Sequence, residues 1–424
     1  MPRKTVSLIL IFIFCTLLLV SCEGAPSGQT DEYATAPSQG TTETPNTNSS
    51  ETTVPVETTV PTETTLPEGT TLPPETSLSP ETTSGTSGTQ TGEVTTTGGS
   101  LIIPRTDPAP EGMYYHPLTG LLCENDFTLS RPVAIMINNI PDALPQAGIS
   151  DADVMYECLV EGGYTRLMMV VSDYTSLGVV GSVRSSRSYF LDMAQNHDAI
   201  YVHAGGSAMA YAGIRDRFIN NIDGVNMYTP STFYRDPVRL QTYALEHTLM
   251  TTGAGIVSGI SYLGYRTAKS ETYPSPFNFI PYGEKIFNED TEKNGTDITI
   301  PFSYFQRSGF LYDEGTDLYY KTNNGSPHID YINGKQLAFE NVLIIFCRQT
   351  YYNDAYGHID LAYTGPGEGY YLTQGVSTPI FWHRYDRDSV MELKNTDDTP
   401  LIINRGRTFV AIVSTDARPG LVIR

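Results

Sequence analysis

Seventy-eight consecutive residues, 23–100, cannot build a folded core. They are dominated by Thr, Pro, Glu, Ser and Gly, and the triplet ETT recurs at positions 51, 57, 63 and 81. The run holds 11 acidic residues and no Lys or Arg. Its apolar content is too low to offset the entropy of ordering a chain, and its like charges repel. It is expected to be an extended, disordered tether, assigned here to residues 23–105. At ~3.1 Å per residue it would reach at most roughly 240 Å. Folded material is therefore confined to the remaining 320 or so residues, enough for one large domain or two of ordinary size.

What precedes the tether explains why a chain would carry one. The sequence opens MPRKTVSLILIFIFCTLLLVSC. Two basic residues, Arg3 and Lys4, lead into an apolar run over 7–20, which is short for a membrane span and right for a secretion signal. The run ends in Leu19-Val20-Ser21-Cys22, which resembles a bacterial lipobox. Residues 1–22 are thus read as a lipoprotein signal peptide, with Cys22 as the lipidated residue. That places the protein at the cell membrane, lipid-anchored on its extracytoplasmic face, with the tether as a spacer.

The formal net charge is −21, and about −12 falls on residues 101–424. So acidic a body argues against nucleic acid as a partner. Three cysteines remain beyond the leader and Cys22. Cys158 and Cys347 lie among apolar residues and read as buried thiols. No CxxC or His-rich spacing suggests zinc, and neither a metal nor a cofactor is expected.

The folded part is expected to be α+β. Residues 106–260 alternate strand-like and helix-like segments and read as an α/β layered domain. RPVAIMINN (131–139), ADVMYECLV (152–160) and TRLMMVVSD (165–173) are strand-length apolar runs. SSRSYFLDMAQNH (185–197) has helical spacing with Ser185 as its N-cap. Residues 199–214 read as strand, glycine turn and short helix, and a further helix is expected over 237–251. Residues 261–300 read as an irregular connection. Residues 301–424 carry short aromatic and β-branched runs between turn residues, the pattern of a mostly antiparallel β domain.

HPLTGL (116–121), RPVAIMINN, PQAGISDADVMYECLVEGGYTR (145–166), VGSVRSSRSYFLDMA (180–194) and YVHAGGS (201–207) together resemble the YerB-like lipoproteins of Gram-positive bacteria. PHID (327–330), ENVLIIF (340–346) and NRGRTFVAIV (404–413) extend the resemblance, which covers nearly all of 115–415. It implies an envelope location and a two-part architecture of N-terminal and C-terminal domains of unknown function. It supplies no reaction. Similar proteins tend to carry a His-Asn pair after the positions of Arg235 and Asp236. Here the stretch reads RLQTYALEHTL, with only His247 nearby, so nothing is carried over from that pair.

All nine basic residues between 101 and 260 are arginine, and no lysine occurs from residue 5 to 268. Arginine suits planar, bidentate contact with carboxylate or phosphate. Several of the nine should therefore sit in fixed ion pairs or in a ligand site. Arg184 and Arg187 fall where a strand or turn gives way to a helix, beside the hydroxyls of Ser182, Ser185 and Ser186. The next strand ends in His203-Ala204-Gly205-Gly206-Ser207, again before a helix. Adjacent strand-to-helix turns in an α/β sheet open at one edge, where ligands bind. The loop EGGYTR adds Glu161 and Arg166. The expected ligand-binding set is Arg184, Arg187, Ser185, Glu161, Arg166, His203, Gly205, Gly206 and Ser207. The alternative is a set of internal pairs, with Arg184 and Arg187 spent on Glu157, Glu161 or Asp192.

Three functions are compatible with these residues. The first is binding of an anionic or polar envelope ligand, such as a cell-wall component. The second is a scaffold that recruits wall-synthesis or division proteins. The third is a wall hydrolase or transferase in which Glu161 serves as acid or base with His203 assisting. Catalytic residues are not assigned. Two further features stand out. His-Ile-Asp occurs at 328–330 and again at 358–360, a spacing that puts His and Asp on one side of a strand. Tyr363, Tyr370, Tyr371, Phe381 and Trp382 form an aromatic group that suits either a core or a glycan-stacking face.

Overall fold

A computed structural model describes residues 107–424; the leader, Cys22 and the tether assigned above lie outside the described residues. In chain order the main elements of the first half are β1 (Val133–Asn138), β2 (Val154–Leu159), β3 (Thr165–Val171), β4 (Val179–Gly181), α1 (Ser188–Gln195), β5 (Ile200–His203), α2 (Ala208–Asp216), β6 (Asn221–Asp223), β7 (Leu249–Thr252) and α3 (Gly253–Leu263). The second half contributes β8 (Asp297–Pro301), β9 (Arg307–Asp313), β10 (Leu318–Asn323), β11 (Asn341–Cys347), β12 (Gly365–Thr373), β13 (Val376–Arg384), β14 (Glu392–Asn395) and β15 (Thr408–Ser414). The chain is α+β, with helices in the first half and strands dominating the second.

The three apolar runs form β1, β2 and β3, and every residue of these strands is buried. Continuous apolar runs of this length belong in a sheet covered on both faces. They form part of a ten-stranded sheet in the order β14-β13-β12-β11-β15-β2-β3-β1-β5-β6. The division near residue 300 describes element content, but the sheet crosses it. Strand β15 pairs in parallel with β2, aligning Val410 with Tyr156 and Ile412 with Cys158. Strands β11 to β14 continue the sheet on the far side of β15. Half of this sheet therefore comes from the part expected to stand alone as a β domain.

Alternation along β2 fixes what covers each face. Tyr156 and Cys158 face α1, where Tyr156 Oη meets His197 Nε2 at 2.8 Å and Cys158 Sγ lies 3.5 Å from Met193 Sδ. Glu157 faces the opposite layer, an antiparallel sheet that contains β8, β9 and β10. There Glu157 Oε2 accepts from Ser308 Oγ at 2.6 Å and lies 3.3 Å from Lys321 Nζ. Its Oε1 accepts from Thr165 Oγ1 at 2.6 Å and from Asn139 Nδ2 at 3.2 Å. Lys321 Nζ also reaches Ser308 Oγ at 2.9 Å and His328 Nδ1 at 3.2 Å, while His328 Nε2 meets Gln146 Oε1 at 2.9 Å. Burial, then the Lys321 charge, drives His328 well below its ordinary pKa. A neutral imidazole accepting from Lys321 and donating to Gln146 fits both contacts. This fully buried centre ties the two halves together.

Two local expectations are corrected. Ser185 does not cap α1, which starts at Ser188 with Arg187 at the N-cap position and no side-chain cap. Residues 184–186 are held extended instead, because Ala204 N donates to Arg184 O at 3.0 Å and Ser186 N donates to Gly205 O at 2.9 Å. The helix expected over 237–251 is two single 3-10 turns, Arg239–Gln241 and Leu245–His247, followed by β7. Arg239 fixes the first turn by donating to the carbonyls of Ala143, Pro145 and His247. The β-branched Thr251 and Thr252 then favour a strand. The helix of this region is α3, capped by Thr252 Oγ1, which accepts from Gly255 N at 3.0 Å. No helix was expected at these residues, which include Gly253, Gly255 and Gly259. The glycines allow close packing: a Cβ on Gly253 would lie 2.3 Å from Tyr174 O.

Candidate functional site

Strands β1, β2 and β5 run in parallel, so their carboxyl ends share one sheet edge. The turn after β2 carries Glu161, and β3 starts back from it with Arg166 directly opposite Asn138 of β1. The segment before α1 and the segment after β5 lie side by side at the same edge, bridged at Ser186 and Gly206. The topology thus brings the two strand-to-helix turns and the EGGYTR loop together.

Within that edge the residues divide into a front and a back. At the front, Arg187 grips Glu161 in a two-pronged pair, Nε to Oε1 at 2.5 Å and Nη2 to Oε2 at 2.7 Å. Burial raises the Glu161 pKa, but the Arg187 bonds and charge outweigh it and hold the carboxyl below its usual range. Arg166 is buried and donates Nη1–H to Ser185 O at 2.6 Å. Burial and then the neighbouring Arg187 charge work against its protonated form and lower its pKa to about 9. Arg184 is different. Its side chain keeps 24% of its surface exposed, and its nearest carboxylate is Glu246, itself half exposed, at 3.6 Å. The Arg184 Nε is buried with no hydrogen-bond partner.

The remaining predicted residues form the back, where internal contacts hold them. His203 is buried under Tyr201, with ring centroids 5.1 Å apart. Its Nδ1 meets Gly205 O at 2.8 Å and its Nε2 meets Asn221 Oδ1 at 3.1 Å. Both ring nitrogens are therefore engaged, and neither reaches Glu161. Gly205 has φ +76°, a conformation that glycine accommodates at no steric cost. A Cβ on Gly206 would lie 3.4 Å from the Ser186 side chain. Ser207 Oγ caps α2 by accepting from Ala210 N at 3.2 Å.

The alternative pairings resolve one by one. Arg187 is spent on Glu161, as an internal pair. Asp192 serves Arg217 at 2.8 Å and Arg384 at 2.9 Å, and Glu157 serves Lys321. Arg184 joins none of the three acids.

Two groups at the edge come from further away. His358 Nε2 lies 3.9 Å from Glu161 Oε1, while its Nδ1 lies 2.5 Å from Asp354 Oδ2. His247 Nδ1 meets Asn138 Nδ2 at 2.9 Å. The repeated His-Ile-Asp pattern marks His358 but does not place it at this edge. The two triplets part company: His328 belongs to the buried centre, and Asp330 accepts from Gly148 N and Ser150 N. Among the described residues, no group of three or more His, Cys, Asp or Glu side chains is arranged to hold a metal ion. In the aromatic group, Tyr363, Tyr371 and Trp382 are core residues, with Tyr363 stacked on Trp382 at 5.9 Å, whereas Phe381 is exposed.

A mixed α/β sheet whose edge gathers Arg166, Arg184 and Arg187 is the class of structure these residues define. Residues 118–266 match the N-terminal domain, and residues 298–410 the C-terminal domain, described as "Protein of unknown function (DUF3048)". The chain belongs to this family, the YerB-like group. It is 28% identical over 300 residues to "Putative lipoprotein YerB" of Bacillus subtilis (strain 168), across 70% of this chain and 85% of that one. It also resembles the crystal structure of the YerB protein from Bacillus subtilis, with a TM-score of 0.61 and 25% identity, covering 71% of this chain and 96% of that one.

Proposed function

We propose that this chain is a lipid-anchored envelope protein, held by Cys22, whose folded part binds an anionic ligand at the Arg166–Arg184–Arg187 edge. The leader and Cys22 support the anchor, as does the printed name of the Bacillus subtilis relative. No helix among the described residues is long and apolar enough to cross a membrane. The observation that carries the binding reading is the state of Arg184. Beside two arginines whose contacts are close, it keeps a buried Nε without an acceptor and only a loose contact to an exposed acid. Guanidinium groups in that state favour a phosphate or carboxylate that supplies the missing acceptors.

The edge suits binding better than catalysis. Glu161 is clamped in its charged form by Arg187, which disfavours a role as general acid, and His203 is committed elsewhere. Recruitment of a protein partner is the second reading. Tyr351, Tyr352 and Tyr356, all exposed, favour it, and they adjoin His358 at this edge. The test is a titration of the full chain with phosphorylated and carboxylated wall fragments, repeated with Arg184→Gln. Binding that drops at least tenfold in the variant supports the ligand reading. Crosslinking to an envelope protein that is unchanged in the variant, with no fragment bound, supports the scaffold instead.

A further inference from the structure

The segment expected to be an irregular connection forms one wall of a large cavity, away from the arginine edge. The cavity is half open and holds about 860 Å³, a size typical of small-molecule sites. Tyr114, Tyr115, Tyr273, Phe277 and Phe279 supply its apolar lining. All of these rings but the exposed Tyr114 are held by contacts. Phe277 and Phe279 meet edge to face at 6.1 Å, and Arg405 lies 4.2 Å from the Tyr115 ring centroid while pairing with Asp107 at 2.7 Å. Asp107 also accepts from Tyr115 Oη and Tyr282 N, so its charge is already satisfied.

Lys269 is the exception in this wall. It is half-buried, and its Nζ stands 5.2 Å from the Tyr273 ring centroid. Among the described residues it has no carboxylate within 4 Å and no side-chain hydrogen bond. Asp198, the acid that influences it from further off, is already held by Arg131 and Arg266. A half-buried ammonium without a counter-ion is costly unless something else supplies one. Two lining acids, Asp126 and Glu271, are exposed and disfavour a multiply charged ligand.

We propose that this cavity is a second ligand site, for a small amphipathic monoanion: a carboxylate that meets Lys269, attached to a ring or acyl body that packs against Tyr273, Phe277 and Phe279. The site is independent of the arginine edge.

The experiment compares 3-phenylpropionate with 3-phenylpropanamide, which differ in charge but hardly in shape, by calorimetric titration of the full chain. The wild type is expected to prefer the carboxylate at least tenfold. Lys269→Met should erase that preference and leave the affinity for the amide within about twofold. Lys269→Arg should keep the preference, and Arg184→Gln should change neither affinity. An unchanged Tm in each variant shows that the fold is intact. Equal affinity for both compounds, no binding of either, or a preference that survives Lys269→Met would overturn the proposal. So would loss of carboxylate binding in Arg184→Gln, which would place the compound at the arginine edge.

Discussion

Two ionic centres in this molecule use the same kinds of groups to opposite ends. Beneath the sheet, Glu157 and Lys321 are both fully buried, and each is surrounded by bonded partners: Thr165, Asn139 and Ser308 on the acid, Ser308 and His328 on the amine. At the sheet edge, Glu161 satisfies Arg187, but Arg184 is left half satisfied and partly exposed. The first centre is closed, and its physical consequence is the docking of two halves of the chain. The second is open on one side, which is the condition for meeting a ligand. The difference lies in the completeness of the bonding rather than in the charge.

The closed centre should be the more sensitive of the two to substitution. Lys321→Met leaves Glu157 buried without its cation and should cost about 3–5 kcal/mol, read as a fall in Tm or in the denaturant midpoint. Substituting Glu157→Gln in the same chain should recover part of that loss, since the stranded charge is gone. If Lys321→Met proves neutral, the centre is not what ties the halves together.

Next in size is Arg187→Ala. It removes both bonds to a mostly buried Glu161 and should cost about 1–3 kcal/mol in chemical denaturation. A loss as small as that of an exposed surface change would mean that Arg187, too, is available to a ligand.

The closed centre should also register in the pH dependence of stability. His328 is held neutral, with its folded pKa far below the ordinary 6.5. Its contribution is fully present above pH 6.5 and is lost as pH falls below that value, because the unfolded chain takes up a proton that the folded one refuses. Below pH 6.5 this adds a slope of about 1.4 kcal/mol per pH unit. His328→Gln should remove one proton's share of that slope. His197, which burial lowers to about 3, His116, which burial lowers to about 4, and His247, which burial also lowers, act with the same sign and should keep their own shares. An unchanged slope in His328→Gln would mean that His328 titrates normally in the fold.

The smallest expected effect on stability is at Arg184. Arg184→Gln should change the unfolding free energy by less than about 0.5 kcal/mol, because its one acidic contact is long and exposed to solvent.

The residues of both centres were unequally visible in the sequence. Strands β1, β2 and β3 were legible because a buried strand writes itself as a continuous apolar run. Arg166, Arg187 and Glu161 were legible because short loops and adjacent turns place them, and arginine without lysine is an unusual choice. What was not legible depends on pairing between distant segments. Nothing local to Glu157 announces Lys321, Ser308 or His328, since their meeting rests on β9 and β10 stacking over β2. The parallel pairing of β2 with β15 is hidden for the same reason, and it is why the two halves read as separate domains. Glu246 and His358 reach the edge through long-range packing. Helix α3 was obscured by glycines that serve close approach to other backbone rather than flexibility.

The most direct test of the contrast between an open and a closed centre is a calorimetric titration of glycerol phosphate into the wild type and Arg184→Gln at low salt, with Tm measured on the same samples. The expected result is binding by the wild type, at least a tenfold weaker affinity in the variant, and an unchanged Tm. Absence of binding, or a variant that loses stability while its affinity stays the same, would contradict it, and Arg184 would then join Lys321 as part of the fold's own bonding.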